Sequence, residues 1–209
     1  MENTANHIML RGTLQGLPEF SHENHGRKFY RFSLEVERLS GAADVLPVLA
    51  PEDVLLEAEL FEGSRFEIEG QLRSFNSRQS AGRRLVLSAY AERMTTSPLE
   101  PQNEVRLCGT ICREPVFRRT PLGREICDVM LAVGRPYRRT DYIPCILWGR
   151  AAQRAAGLPV GSGLELTGRL QSREYVKVLP DGNETRVAYE VSAASSAVPG
   201  EEAAAFAGG

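Results

Sequence analysis

The chain has 209 residues, a formal net charge of −2, and 42% hydrophobic and 25% charged residues, values that argue against a disordered or coiled-coil protein. This length suits two domains of roughly 100 residues, each able to bury its own core. No apolar run approaches the roughly 18–20 residues of a membrane span, and the first residues lack the pattern of a signal peptide. We therefore expect a cytoplasmic protein without membrane contact.

A tandem repeat organises the chain. Residues 6–20 align with residues 103–117 at a constant offset of 97 and, after one inserted residue, residues 63–74 match residues 161–172. A register of this length indicates the duplication of one domain. We call residues 1–93 the first copy and residues 103–192 the second copy.

Each copy has the same predicted elements. In the second copy, alternating apolar residues predict strands at 103–112, 125–135, 141–147, 163–175 and 185–193. An alanine-rich segment at 151–156 predicts a short helix between strands three and four, and residues 51–60 supply this helix in the first copy. This order is typical of the oligonucleotide-binding (OB) barrel. We predict an all-β protein with short helices, built from two tandem five-stranded Greek-key OB barrels.

Two segments outside the repeats are predicted to lack regular structure. Residues 94–102 contain two prolines and no apolar periodicity, so we expect a short, stiff linker. From residue 193 to residue 209, Ala, Ser, Gly and Glu dominate, which predicts a disordered tail.

Enzymatic and metal sites are not predicted. The four cysteines lie in the second copy without CxxC spacing, and the three histidines lie in the first copy. Small buried thiols are therefore expected rather than a zinc site. His22 and His25 fall in a polar stretch that we predict to be a solvated hairpin loop. The sequence has no phosphate-binding GxxxxGK[ST] loop, no GxSxG motif and no His–Cys pair, so we expect no catalytic residue and no cofactor.

The charge differs between the copies. Residues 103–192 hold fourteen Arg and Lys against ten Asp and Glu, whereas residues 1–97 hold eleven against fourteen. The charge balance is therefore +4 for residues 103–192 and −3 for residues 1–97. Only the second copy is therefore expected to attract phosphate.

Several stretches of the second copy, taken together and in order, resemble the bacterial single-stranded DNA-binding protein family. They are residues 103–111, 114–115, 120–123, 131–135, 140–143, 147–152 and 168–175. The resemblance implies sequence-independent binding and protection of single-stranded DNA in replication, recombination or repair, in the cytoplasm on the nucleoid. It also implies four barrels in each assembly, which two copies of this chain would supply as a homodimer.

The resemblance implies a set of base-stacking aromatic residues. These are Tyr137, Tyr142, Trp148 and Tyr175. Exposed rings bind any base, at roughly 1–3 kcal/mol for each base, while arginines follow the phosphates. The arginines expected to contact phosphate are Arg135, Arg138, Arg139, Arg150 and Arg173.

Alternation leaves open which face of the third strand is buried. Tyr142 and Trp148 share one parity, and Ile143, Cys145 and Leu147 share the other. By periodicity alone, a buried Trp148 fits as well as an exposed one. The family pattern places the second set inside the barrel and the two rings outside.

The first copy departs from the family pattern. At the offset of 97, Ser40, Val45 and Pro51 stand opposite Tyr137, Tyr142 and Trp148. We therefore expect this copy to bind DNA poorly and to serve assembly. Three aromatic residues nevertheless leave room for contact: Phe29, Tyr30 and Phe75.

Two alternatives remain open. A protein-interaction module of a primosome or a mobile element would keep the barrels and bind nucleic acid weakly or not at all. RNA binding would use the same stacking, because RNA differs from DNA at the sugar by its 2′-hydroxyl and both polymers have bases that can stack.

The end of the chain bears on protein partners. Family tails close on an acidic cluster with a hydrophobic tip, whereas this chain has Glu201, Glu202 and Phe206 before two glycines. Recruitment of replication and repair proteins is therefore in doubt.

Overall fold

The computed structural model describes residues 5–58, 60–77, 84–179 and 182–199. The chain divides into two compact units. The amino-terminal unit comprises residues 7–104 and 170–189, and the carboxy-terminal unit comprises residues 1–6, 105–169 and 190–209. No helix in the described parts of the chain is long and apolar enough to cross a membrane.

Five strands close the first barrel. In chain order its elements are β1 (Asn6–Asn24), β2 (Arg27–Glu37), β3 (Ala43–Pro51), α1 (Glu52–Leu56), β4 (Arg65–Ser77) and β5 (Arg84–Thr96). β1 pairs antiparallel with β2 and β4, β2 with β3, and β4 with β5. A parallel pairing of β3 with β5, with Val48 beside Ala89, completes the circle. The predicted OB barrel is confirmed.

The second barrel repeats this connectivity. Its elements are β6 (Gln102–Ile111), β7 (Val116–Arg119), β8 (Glu125–Arg135), β9 (Arg139–Trp148), α2 (Arg150–Ala156), β10 (Gly163–Leu179) and β11 (Gly182–Ala197). β6 pairs antiparallel with β8 and β10, and β8 with β9. β11 neighbours β10 in the sheet and pairs parallel with β9, with Val191 beside Cys145.

The second copy has six strands rather than the predicted five. β7 forms a separate hairpin with β8, because the chain leaves the strand conformation at residues 112–115. Pro115, which has no N–H to donate to a ladder, lies in this break. Pro18 occupies the same place in the first copy, where β1 continues but its pairing with β2 shifts register between Gln15 and Glu19.

The core repeats residue by residue. Leu10 and Leu34 of the first copy are buried, and so are their counterparts at the offset of 97, Leu107 and Leu131. These positions alternate with more exposed ones along each strand, as expected for strands with one face inside a barrel. The predicted alternation therefore reports the interior of both barrels correctly.

Three predicted boundaries are wrong. Residues 94–96, assigned to the linker, continue β5, and Met94 is buried against the barrel. The tail is predicted from residue 193, but β11 extends to Ala197 because Val191 and Ala193 fill the core beside β9. Its remainder from residue 200 lies outside the described residues. The helix predicted over residues 51–60 is shorter and spans only Glu52–Leu56, where Val54 and Leu55 are the residues that pack into the core.

The predicted loop around His22 is also shorter than expected. β1 and β2 continue to Asn24 and Arg27, which pair across the hairpin. The turn itself is His25–Gly26, with φ values of 49° and 75°. Two positive φ values suit the right-handed twist of a two-residue hairpin. His22 is therefore a strand residue.

A buried ion pair recurs in both copies. In the first copy, Arg38 donates hydrogen bonds of 2.6 and 2.5 Å to the fully buried Asp44. The Ser172 N–H and hydroxyl donate to the same carboxylate at 2.8 and 3.0 Å. Burial alone would raise the pKa of Asp44, but the hydrogen bonds from Arg38 and Ser172 outweigh it and hold the pKa below its usual value. The counterpart pair in the second copy is Arg135 with the fully buried Asp141, at 3.1 Å.

Glycines stand where two strands cross closely. A Cβ placed on Gly109 would lie 2.6 Å from the Ala132 carbonyl oxygen, and one on its counterpart Gly12 would lie 2.2 Å from the Glu35 oxygen. Both distances are shorter than any real contact to a Cβ. Glycine is therefore required by the close approach of the backbones where the barrel closes.

We expect Gly109→Ala to lower the free energy of unfolding by about 1–3 kcal/mol, because the methyl group overpacks a rigid backbone crossing. Gly134→Ala is the matched control, since a Cβ there meets nothing within 4 Å. It should leave stability unchanged or raise it by up to about 1 kcal/mol. Urea unfolding followed by circular dichroism measures both. Equal effects of the two variants would contradict the close-approach interpretation.

Candidate nucleic-acid interface

The outer face of β9 holds two of the predicted rings, beside β8. Ala132 pairs with Tyr142, and Ile126 pairs with Trp148. Ile143, Cys145 and Leu147, on the opposite face of β9, are buried. Tyr142 is 47% exposed, and Trp148 is half-buried. The burial pattern thus agrees with the predicted orientation of β9 and disagrees with a Trp148 inside the barrel.

The indole of Trp148 is anchored by a hydrogen bond. Its Nε1–H donates to the Ser192 hydroxyl at 2.9 Å. Ser192 reaches this position because β11 runs parallel to β9, with Ser192 beside Ile146. This hydrogen bond restricts rotation of the indole ring. The ring therefore loses less conformational entropy when a ligand stacks on it. Ser192 was missed from the sequence, since no local pattern predicts which strand closes on β9.

A shallow groove lies beside Trp148. It is lined by Trp148, Arg119, Gly123, Arg124, Glu125 and Gly149. Both arginines are exposed and come from the β7–β8 hairpin. Arg119 pairs with Glu125 at 3.1 Å, and the pKa of Glu125 is lowered by hydrogen bonds from Gln153 and Arg119. The carboxylate in the groove is therefore held in its charged form by partners of its own. An aromatic ring beside guanidinium groups is an arrangement suited to a base and its phosphate.

Arg119 and Arg124 were not among the predicted phosphate contacts. Their neighbours at 120–123 belong to the motif that resembles the family. The hairpin register, which sets Arg119 opposite Glu125, brings this segment to the Trp148 groove. The signal available in the sequence was the basic content of this segment. It could not be connected to Trp148, because the two are far apart along the chain.

Arg135 lies in a different environment from the other predicted arginines. Its side chain is 23% exposed and forms the ion pair with buried Asp141 described above. The first copy has the same pair although it lacks the rings, so the pair belongs to the barrel rather than to the aromatic face. Arg138, Arg139 and Arg150 are exposed.

The β8–β9 turn presents Tyr137 to solvent in a strained backbone. Tyr137 is 95% exposed, with φ 61° and ψ 34°, and Arg138 follows with φ 57°. For residues other than glycine, this left-handed region costs roughly 1–2 kcal/mol. Gly41 occupies the place of Arg138 in the first copy, with φ 82°. The second copy thus keeps a tyrosine and an arginine where the backbone favours glycine.

Tyr175 and Arg173 belong to the amino-terminal unit rather than to the unit that holds the other rings. Tyr175 is half-buried, and the Arg173 guanidinium lies 5.9 Å from its ring centroid. The structure thus places Tyr142 and Trp148 on one strand face and Tyr137 in the adjoining turn. Tyr175 belongs to the other compact unit.

The cysteines show no metal-binding geometry. Cys127 and Cys145 are buried, and Cys108 and Cys112 are half-buried. Burial raises the pKa of Cys145 far above its usual value, with a further contribution from Glu190. Among the described residues, no group of three or more His, Cys, Asp or Glu side chains could hold a metal ion.

We expect Arg138→Gly to raise the free energy of unfolding by up to about 1 kcal/mol, because glycine removes the left-handed strain at a small entropic cost. Arg139→Gly is the control, since Arg139 has the extended backbone of a strand, with φ −92° and ψ 158°. That change should lower stability by roughly 0.5–1 kcal/mol. Urea unfolding compares the two, and destabilisation by both changes would show that residue 138 is not strained.

Part of the chain is similar in sequence to known proteins. Residues 102–198 match the single-strand binding protein family. The chain is 37% identical over 91 residues to a single-stranded DNA-binding protein of Halalkalibacterium halodurans, covering 40% of this chain and 51% of the relative. It is 38% identical over 80 residues to single-stranded DNA-binding protein A of Bacillus subtilis, covering 35% of this chain and 46% of the relative. The chain therefore spans about half the length of the curated relatives it matches.

The likeness in fold extends over nearly the whole chain. The crystal structure of the wild-type single-stranded DNA-binding protein from Thermus aquaticus superposes with a TM-score of 0.73 and 24% identity, covering 93% of this chain and 92% of that one. At this identity the likeness concerns the fold alone. The family match concerns the copy that holds Tyr142 and Trp148. Residues 102–198, just under half of the chain, are thus similar to the single-strand binding protein family.

Proposed function

We propose that the second copy binds single-stranded DNA without sequence preference, by stacking bases on Trp148 and Tyr142. The observation that carries the proposal is the outward-facing aromatic pair on β9, with the Trp148 indole oriented by Ser192. A π-face accepts every base, so such a surface suits a binder without sequence preference. The relatives named above are single-stranded DNA-binding proteins, which supports the same ligand.

Phosphate contacts are assigned to exposed arginines around this face. Arg119 and Arg124 line the Trp148 groove. Arg138 and Arg139 directly follow Tyr137 at the end of the β8–β9 turn, and Arg150 begins α2 directly after the groove residue Gly149. We assign Arg135 a positioning role instead, since its guanidinium pairs with buried Asp141. Tyr175 stays in the proposal as a further stacking contact, and Arg173 stays as a further phosphate contact.

We expect Trp148→Ala and Tyr142→Ala each to weaken oligo-dT binding about tenfold or more, because each removes stacking worth roughly 1–3 kcal/mol. Anisotropy of a labelled oligonucleotide measures this in every variant, whereas quenching of Trp148, the only tryptophan, serves the wild type alone. Val160→Ala is the control, being an exposed apolar residue outside the groove. Unchanged affinity in both aromatic variants would refute the proposed surface.

The salt dependence tests the arginines within the same experiment. Affinity should fall with added salt, at a slope of about −0.7 for each phosphate neutralised. Changing Arg119 and Arg124 to alanine should make the slope shallower by about 0.7 for each phosphate that is no longer neutralised. Oligo-U in place of oligo-dT separates DNA from RNA. Absence of binding to either polymer would contradict the proposal and favour a protein-interaction role.

We further propose that the chain forms a homodimer, which assembles four OB barrels, and that it protects unwound DNA in replication, recombination or repair on the nucleoid. Two barrels in each chain, closed in the same way, are the structural support for this number. We expect light scattering at micromolar concentration to give twice the chain mass of 23.1 kDa. A monomer under these conditions would contradict the assembly. The acidic residues expected to bear on protein partners, Glu201 and Glu202, lie outside the described residues.

A further inference from the structure

The first barrel has an aromatic cluster on its own outer face. Phe29 lies opposite Pro51 across β2 and β3, and Tyr90 lies beside Leu49 across β3 and β5. Because Leu49 and Pro51 are two residues apart on β3, all four side chains share one face. The ring centroids of Phe29 and Tyr90 are 6.5 Å apart, with the ring planes tilted by 42°. Two rings from neighbouring strands therefore flank the end of β3.

This cluster occupies the place that corresponds to the Trp148 surface. Pro51 stands where the second copy has its tryptophan, and Phe29 and Tyr90 come from the strands on either side. The three corresponding residues in the second copy are, in the same order, Trp148, Ile126 and Ser192. In the second copy the middle strand supplies the ring and its neighbours supply an aliphatic residue and a hydroxyl. The first copy has the reverse arrangement, with rings on both neighbours and proline in the middle.

Cationic and planar groups surround these two rings. The Arg73 guanidinium lies 5.5 Å from the Tyr90 ring centroid, and the Arg27 guanidinium lies 5.9 Å from that of Phe29. His22 stacks on Phe29, with centroids 4.8 Å apart and planes 11° from parallel. Rings combined with guanidinium groups form the surface on which unpaired bases stack.

The electrostatics of this surface differ from those of the second copy. Asp53 pairs with Arg27 at 2.7 Å, and residues 1–97 have a charge balance of −3. Negative charge beside the rings opposes phosphate, so the favourable part of binding must come from the bases. Binding here should consequently depend little on salt.

We propose that the first copy has a second base-stacking surface, formed by Phe29 and Tyr90 with Arg73, which binds bases of single-stranded DNA with little help from phosphate contacts. The inference rests on the proposed function only for its ligand class. It goes beyond the expectation that this copy binds DNA poorly and serves assembly, with Phe29 among the residues that leave room for contact. It also uses residues other than those that the family resemblance assigns.

The test compares four full-length proteins. They are the wild type, a first-surface variant (Phe29→Leu with Tyr90→Leu), a second-surface variant (Tyr142→Ala with Trp148→Ala) and the combination of all four changes. Leucine keeps the apolar contacts and removes only the ring, so the barrel should fold. Circular dichroism checks this, and Phe61→Leu is the matched control because Phe61 is exposed on the same barrel. Titration of long oligo-dT gives the affinity and the number of nucleotides bound by each chain.

The first-surface variant should bind fewer nucleotides per chain, by a number within the roughly 4–16 that one OB barrel covers. The second-surface variant should retain binding that varies less with salt than that of the wild type, and the combination should weaken this binding about tenfold or more. The inference is overturned if the first-surface variant matches the wild type and the combination matches the second-surface variant. Failure of the proposed function looks different, because the second-surface variant would then equal the wild type.

Discussion

The parallel pairings of β3 with β5 and of β9 with β11 close the two barrels, and the outer surfaces depend on them. β9 meets β11 at Cys145 and Val191, and β3 meets β5 at Val48 and Ala89. Once the ring of strands is closed, one face of each strand is committed to the core. The last strand of each copy, β5 or β11, then places one outward-facing residue beside β3 or β9. That residue is Ser192 in one copy and Tyr90 in the other, and the difference gives the two barrels different outer surfaces.

The features that the copies share concern the barrel itself. Gly12 and Gly109 allow the same close backbone crossing, and the buried pair Arg38–Asp44 recurs as Arg135–Asp141. A charge buried without its partner is costly, so both members of such a pair are held together by the fold. What differs between the copies lies on the outer face, where a substitution leaves the core unchanged. The two copies thus share one barrel architecture and differ in their outer surfaces.

Proximity in sequence to an aromatic residue is a weak guide to the role of an arginine. Arg135 is two residues from Tyr137 and still directs its guanidinium to Asp141. Arg124 is 24 residues from Trp148 along the chain and shares a groove with it. Hairpin register, rather than spacing, decides which cations surround a ring. The β8–β9 turn shows a further tension, since Tyr137 and Arg138 occupy a backbone region that glycine would occupy at lower cost.

The sequence by itself determined the duplication, the OB barrels, the core positions and the outward direction of Tyr142 and Trp148. These properties follow from alternation, from the fixed offset between the copies and from a local resemblance, all of which can be read along the chain. Only the tertiary structure decided that β11 continues beyond residue 193, that Ser192 anchors Trp148, that Arg135 is paired inward, and that Phe29 and Tyr90 meet across β3. Each of these depends on pairing between strands distant in sequence, and alternation within one strand contains no information about its neighbour.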